Sequence, residues 1–127
     1  MELNVLLVDD SATTRAVIRK TLKLAGLQPT AIYEAGDGCA ALEVLSQNEV
    51  HLVFADLNMP KMGGDELIRR MADDPRHCRI PVIVVSTEGS QTRLTDILLP
   101  LVAGFIRKPF TPEQVRETIL KVLEPVS

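Results

Sequence analysis

The stretch from Asn4 to Thr13, NVLLVDDSAT, decides how the chain is read. Val5 to Val8 form a short continuous apolar run, the pattern of a strand buried on both faces of a parallel sheet. Asp9 and Asp10 then stand side by side at the carboxyl end of that strand. At roughly 4–5 Å and an effective dielectric of about 20, two such charges repel by on the order of 4 kcal/mol. One reading leaves one acid in solvent and has the other cap the next helix, although Ser11 can do the capping instead. The other reading makes the pair one side of a cation site.

Outward from this stretch, strand and helix signals alternate. Ala12, Ala16, Val17, Thr21, Leu24 and Ala25 recur near helical spacing, and Gly26 ends the run. Thr30–Ala35 reads as a second strand and Asp37–Ser46 as a helix. His51–Asp56 (HLVFAD) is another buried strand ending in an acid. Residues 64–74 give a helix with Leu67, Ile68 and Met71 on one face. Ile80–Thr87 (IPVIVVST) is the most β-branched run. Residues 91–101 place Leu94, Ile97, Leu98 and Leu101 at i, i+3, i+4 and i+7, which predicts a fourth helix. Residues 103–108 form a fifth strand, and residues 111–124 a closing helix with Thr111 as N-cap and Pro112 at its first position. The pattern predicts an α/β fold, a parallel sheet covered by helices on both faces, in a single domain over residues 1–127.

The 46% hydrophobic and 24% charged residues are those of an ordinary globular protein. Seventeen acidic against 14 basic residues, a net charge of −3, offer no stripe for nucleic acid and no polybasic membrane anchor. The apolar runs are too short to span a bilayer, and the N-terminus lacks the basic start and long apolar core of a signal peptide. Cys39 and Cys78 have neither metal-ligand spacing nor a CxxC partner, which suits a reducing cytoplasm.

Ligands of open parallel sheets bind beyond the carboxyl ends of the strands, where the strand order reverses. Those ends carry Asp9 and Asp10, then Asp56, then Ser86 and Thr87, then Lys108. Glu34 and Asp37 follow the second strand and read as a solvated loop residue and a helix cap. The other four ends bring together three carboxylates, a hydroxyl and a lysine. Hard oxygen donors suit Mg²⁺, which also offsets the carboxylate repulsion. A carboxylate can act as nucleophile and form an acyl phosphate, while lysine and hydroxyl groups can hold phosphoryl oxygens. The set reads as a phosphoryl-transfer site.

At this point the chain resembles the receiver domain of two-component response regulators, of the stand-alone chemotaxis type. The motifs that carry the resemblance are VDDS at 8–11, ADLNMPKMGG at 55–64, VVST at 84–87 and KPF at 108–110. It implies a flavodoxin-like, doubly wound five-stranded sheet of order 2-1-3-4-5 with five helices. It also implies Asp56 as phosphoacceptor, Asp10 as a direct Mg²⁺ ligand assisted by Asp9, and the Asn58 backbone carbonyl as a further ligand. Lys108, before a cis Pro109, would pair with the phosphoryl group. Ser86 takes the switch position and Phe105 that of the aromatic rotamer switch, while Asn58 and Glu88 stand where hydrolysis is tuned. The partners implied are a histidine kinase as phosphodonor, a downstream protein docking on the fourth helix, fifth strand and fifth helix, and a possible phosphatase. The resemblance makes the protein a cytoplasmic signalling module, not a turnover enzyme with a diffusible substrate.

Two departures stand out. Pro100 and Leu101 occupy a turn that the family usually makes from small residues, so the fourth helix is expected to stop or bend near Leu99. Leu98, Leu99 and Leu101 read either as core or as an exposed docking patch. Gly63 stands where the family often has Asp, with an effect expected on the loop or on the start of the third helix. Among rival functions, a Mg²⁺-dependent aspartyl-phosphate phosphohydrolase would want a second acid at position 58, where Asn58 stands, and a cap for which there is no room. A nucleotide-binding or redox protein of similar topology would want a glycine-rich loop where Asp9 and Asp10 stand. Within the receiver reading, a phosphate relay or sink, or the receiver of a longer regulator, are alternatives to a signal carrier.

Overall fold

The computed structural model describes residues 3–57, 59–87 and 99–123. Each apolar run becomes a strand: β1 (Asn4–Val8), β2 (Ala31–Ala35), β3 (Leu52–Ala55), β4 (Val82–Thr87) and β5 (Gly104–Lys108). All neighbouring strands pair in parallel, in the order β2-β1-β3-β4-β5. The helices are α1 (Ala12–Leu24), α2 (Gly38–Gln47), α3 (Gly64–Asp73) and α4 (Pro112–Leu123).

Side chains alternate across a strand, so each central run feeds two cores. Leu6, Val8, Val53, Ala55, Val82 and Val84 pack with Ala41 and Leu45 of α2 and with Leu67, Ile68 and Met71 of α3. Val5, Leu7, Leu52, Phe54, Ile83 and Val85 pack on the other face with Ile18 and Leu22 of α1 and Val115 and Ile119 of α4. This double burial is why β1 and β3 tolerate no polar side chain within their apolar stretch, whereas the edge strand β2 is mostly half-buried.

The expected helix boundaries hold through local chemistry. Ser11 caps α1 by accepting the Thr14 N–H at 3.2 Å, and Asp37 caps α2 by accepting the Ala40 N–H at 2.8 Å. Thr111 and Gln114 form a reciprocal capping box at α4, with bonds of 3.2 and 2.9 Å. At the end of α1, Gly26 adopts φ of 81°. Its N–H donates to the Lys23 carbonyl at 3.1 Å and the Leu27 N–H to the Leu22 carbonyl at 3.0 Å, a Schellman motif.

The described residues hold four α-helices where five were expected, because most of the helix predicted over residues 91–101 lies outside them. Its last three residues, Leu99–Leu101, form a 3₁₀ turn instead of an α-helical end. Pro100 explains this, since it has no N–H to donate and disfavours the α conformation at Leu99. Leu101 is 43% exposed, so the core alternative fails for that residue. Leu98 lies outside the described residues.

Gly26→Ala should destabilise the fold by about 1 kcal/mol, because a Cβ is disfavoured in the left-handed region. Urea unfolding checks this as a lower midpoint at an unchanged slope.

Candidate functional site

The chain leaves β1 toward one edge of the sheet and returns to β3 on its other side, so the strand order reverses between β1 and β3. Val8 lies opposite Ala55, which brings Asp9 and Asp56 level one residue further on. The ladder extends through them: the Asp56 N–H donates to the Val8 carbonyl, and the Asp9 N–H to the Ala35 carbonyl, each at 3.0 Å. Lys108 ends β5 opposite Thr87 and reaches across β4. Its Nζ donates to Asp9 Oδ2 at 3.1 Å and to Asp56 Oδ2 at 3.4 Å. The Lys108–Pro109 peptide is cis, as the resemblance implies.

The paired acids have different surroundings. Asp9 is buried, and its Oδ1 accepts the Ser11 N–H at 2.9 Å, whereas Asp10 is exposed. Capping therefore falls to Ser11, and Asp10 is the solvated member. Carboxylate oxygens of Asp9, Asp10 and Asp56 all lie within 4.8 Å of one another. Three carboxylates against the single charge of Lys108 leave a negative surplus, and an all-oxygen donor set of this size fits a hard divalent cation. Asp10, open to solvent, has the accessible oxygens for direct ligation.

Ser86 is buried near the end of β4, opposite Arg107. By the alternation of β4 it shares a face with Val82 and Val84. Phe105 lies opposite Val84 and packs against the same cluster, which makes it the diagonal neighbour of Ser86. Asp9, Asp56 and Lys108 follow the alternation of the other face. Asn58 and Glu88 lie outside the described residues.

The loop after β3 is tightly closed. The Gly64 N–H donates to the Leu57 carbonyl at 3.1 Å, and a Cβ on Gly64 would lie 2.1 Å from the Asp56 carbonyl oxygen. No other residue type allows that approach. Gly63, the departure noted above, sits at the N-cap of α3 without a side-chain capping bond. Asp65 and Glu66 place negative charge in the first turn instead.

Glu34 lies within β2, as the strand expected over Thr30–Ala35 has it, and not in the solvated loop after that strand. Its carboxylate accepts Arg15 Nε at 2.8 Å and Arg19 Nη2 at 2.6 Å. These hydrogen bonds, from Arg15 first, hold the Glu34 carboxyl below its ordinary range. The pair therefore adds stability above that ordinary range, lost as pH falls through the depressed value. The Glu34 side chain is 35% exposed, so solvent screens the gain. Arg15 Nη1 also donates to the Asp9 carbonyl oxygen. The signal for this bracket is two arginines four residues apart on one helix face, which the sequence reading passed over.

The family described as "Response regulator receiver domain" matches residues 5–120. Chemotaxis protein CheY1 of Helicobacter pylori is 36% identical over 122 residues, covering 95% of this chain and 97% of that protein. Chemotaxis protein CheY of Pseudomonas aeruginosa is 34% identical, covering 98% and 99%. The solved structure of the chemotaxis response regulator CheY4 of Vibrio cholerae superposes with a TM-score of 0.83 at 29% identity, covering 97% of this chain and all of that one. The chain belongs to the response regulator receiver domain family. It is a phosphorylation-controlled signalling module of the CheY type, and the phosphohydrolase alternative is not favoured.

Gly64→Ala should cost about 3 kcal/mol, because the clash is with backbone and no side chain can yield. It should also displace Asp56, read as a large chemical-shift change at the Asp56 amide in the folded protein.

Proposed function

We propose that residues 1–127 form one receiver domain that accepts a phosphoryl group from a histidine kinase onto Asp56, in a Mg²⁺-dependent reaction. The single observation that carries this reading is Lys108 bridging Asp9 and Asp56 beside an exposed Asp10. A phosphoryl site needs a nucleophilic carboxylate, a cation for the incoming oxygens, and acids to hold a metal, and these residues supply all three. Bound Mg²⁺ would offset the combined charge of the carboxylates and the phosphoryl oxygens, with Asp9, Asp10, Asp56 and the Asn58 carbonyl as its protein ligands.

Asp56 attacks phosphorus in line. A bond forms between its carboxylate oxygen and phosphorus, and the bond to the donor's histidine nitrogen breaks. Lys108 Nζ, already between Asp9 and Asp56, turns to a phosphoryl oxygen and keeps its bond to Asp9. The product carries nearly two negative charges and three strong acceptors next to the end of β4. Ser86 donates its hydroxyl to one of them by drawing its strand end inward. Phe105, its diagonal neighbour on the same sheet face, takes the space released. The coupled movement biases the surface of β5, α4 and the segment between β4 and β5, where a downstream protein docks. Water attack on the acyl phosphate resets the site, at a rate set by Asn58 and Glu88 and open to a phosphatase. The protein catalyses both its own phosphorylation and its own dephosphorylation and turns over no diffusible substrate. No helix among the described residues is long and apolar enough to cross a membrane.

Intact mass after incubation with acetyl phosphate tests the reading. The expected result is a gain of one phosphoryl group with Mg²⁺, none with EDTA, and none in Asp56→Asn. Phosphate release is followed in the same samples, so that rapid hydrolysis is counted as turnover. Neither adduct nor release in the wild type would contradict the assignment.

A further inference from the structure

Every polar atom of Asp9 has a partner. Its N–H donates to the Ala35 carbonyl, Oδ1 accepts the Ser11 N–H, and Oδ2 accepts Lys108 Nζ. Its carbonyl oxygen accepts Arg15 Nη1. Of these four, two come from side chains, Lys108 at the strand ends and Arg15 on α1, and only Arg15 lies outside the site described above. Arg15 sits one turn into α1, its side chain 18% exposed against 47% for Arg19. Glu34 fixes its guanidinium through Nε at 2.8 Å and is itself braced by Arg19.

The Asp9 carbonyl lies in the peptide plane that joins Asp9 to Asp10. That plane is rigid, so a charged donor fixing the oxygen also fixes the direction in which the Asp10 Cα leaves the strand. Asp10 is the exposed acid of the cluster. The geometry points to Arg15 as a positioning residue for the cation site, aiming Asp10 through the Asp9 carbonyl, with Glu34 as its anchor. This rests on the reading of the acidic cluster as a Mg²⁺ site. Arg15 touches neither the cation nor the phosphoryl group and is not a catalytic residue. Glu34 has a second effect, because it neutralises the Arg15 charge that would otherwise oppose a cation nearby.

The two possible roles of Arg15 predict opposite signs. If its charge alone mattered, Arg15→Met would remove a neighbouring cation and raise Mg²⁺ affinity, while Glu34→Gln would lower it. Positioning predicts a loss in both. The experiment is a Mg²⁺ titration followed by backbone amide shifts in the wild type, Arg15→Met, Arg15→Lys, Glu34→Gln, Arg19→Gln and the Arg15→Met/Glu34→Gln pair. Arg15→Met and Glu34→Gln should each weaken affinity about tenfold, the lower end for partners that orient metal ligands. The double variant should be no weaker than Arg15→Met alone. Arg15→Lys should remain impaired, since an ammonium cannot hold both partners as a guanidinium fork does. Arg19→Gln should stay within about twofold, as an exposed ion pair contributes little. Without metal, the Asp10 and Ser11 amides should shift in Arg15→Met and not in Arg19→Gln. Unchanged affinity in Arg15→Met, or opposite signs in Arg15→Met and Glu34→Gln, would overturn the assignment while leaving the metal site standing. A wild type that does not bind Mg²⁺ would overturn both.

Discussion

Three carboxylates whose oxygens lie within 4.8 Å of one another repel, and the register of β1 against β3 holds two of them, Asp9 and Asp56, side by side. Val8 lies opposite Ala55 in a strand pair buried on both faces, so the residue after each must emerge at the same level. A slip of one residue would exchange the side chains feeding the two packed cores and draw an acid into the buried stretch, at a cost larger than the repulsion. The acids are therefore confined by the core, not by attraction to one another. Lys108 relieves part of the repulsion from the far side of β4, and a bound hard cation would relieve the rest. A phosphoryl group on Asp56, as proposed, would bring more negative charge to the same place and bias elements several residues away.

Those elements are already in position. Ser86 and Phe105 sit on neighbouring strands and on the same face of the sheet, so a movement of one changes the room available to the other. Asp9, Asp56 and Lys108 follow the opposite face. Charge chemistry and packing response are thus separated by the thickness of a single strand. The bracket of Arg15, Glu34 and Asp9 adds a third requirement, that the backbone at the acidic cluster hold its direction while the charges change.

Much of this was legible in the sequence because parallel sheets announce themselves. The runs Val5–Val8, Leu52–Ala55 and Val82–Val85 are apolar throughout, and strand ends in such a sheet come level, so Asp9, Asp56 and Lys108 could be grouped before any coordinates. Ser11, Asp37 and Thr111 declared the helix starts through capping chemistry. What was not legible depended on distance across the chain. Glu34 lies on an edge strand that was legible, but its two arginine partners are distant in sequence. Gly63 and Gly64 look alike on paper, yet Gly64 alone has the Asp56 carbonyl within 2.1 Å of a Cβ position. Leu101 kept helical spacing and still came to the surface, because Pro100 turned the chain into a 3₁₀ turn before it.

The central claim is that the acidic cluster is a strained arrangement awaiting a cation. Thermal unfolding of the wild type and Asp10→Asn, each in EDTA and in millimolar Mg²⁺, tests it most directly. Removing one charge should make Asp10→Asn more stable than the wild type in EDTA, by on the order of 1 kcal/mol. Mg²⁺ should then raise the midpoint of the wild type by mass action and leave that of Asp10→Asn almost unmoved. An Asp10→Asn protein less stable than the wild type in EDTA, or a wild type indifferent to Mg²⁺, would contradict the account.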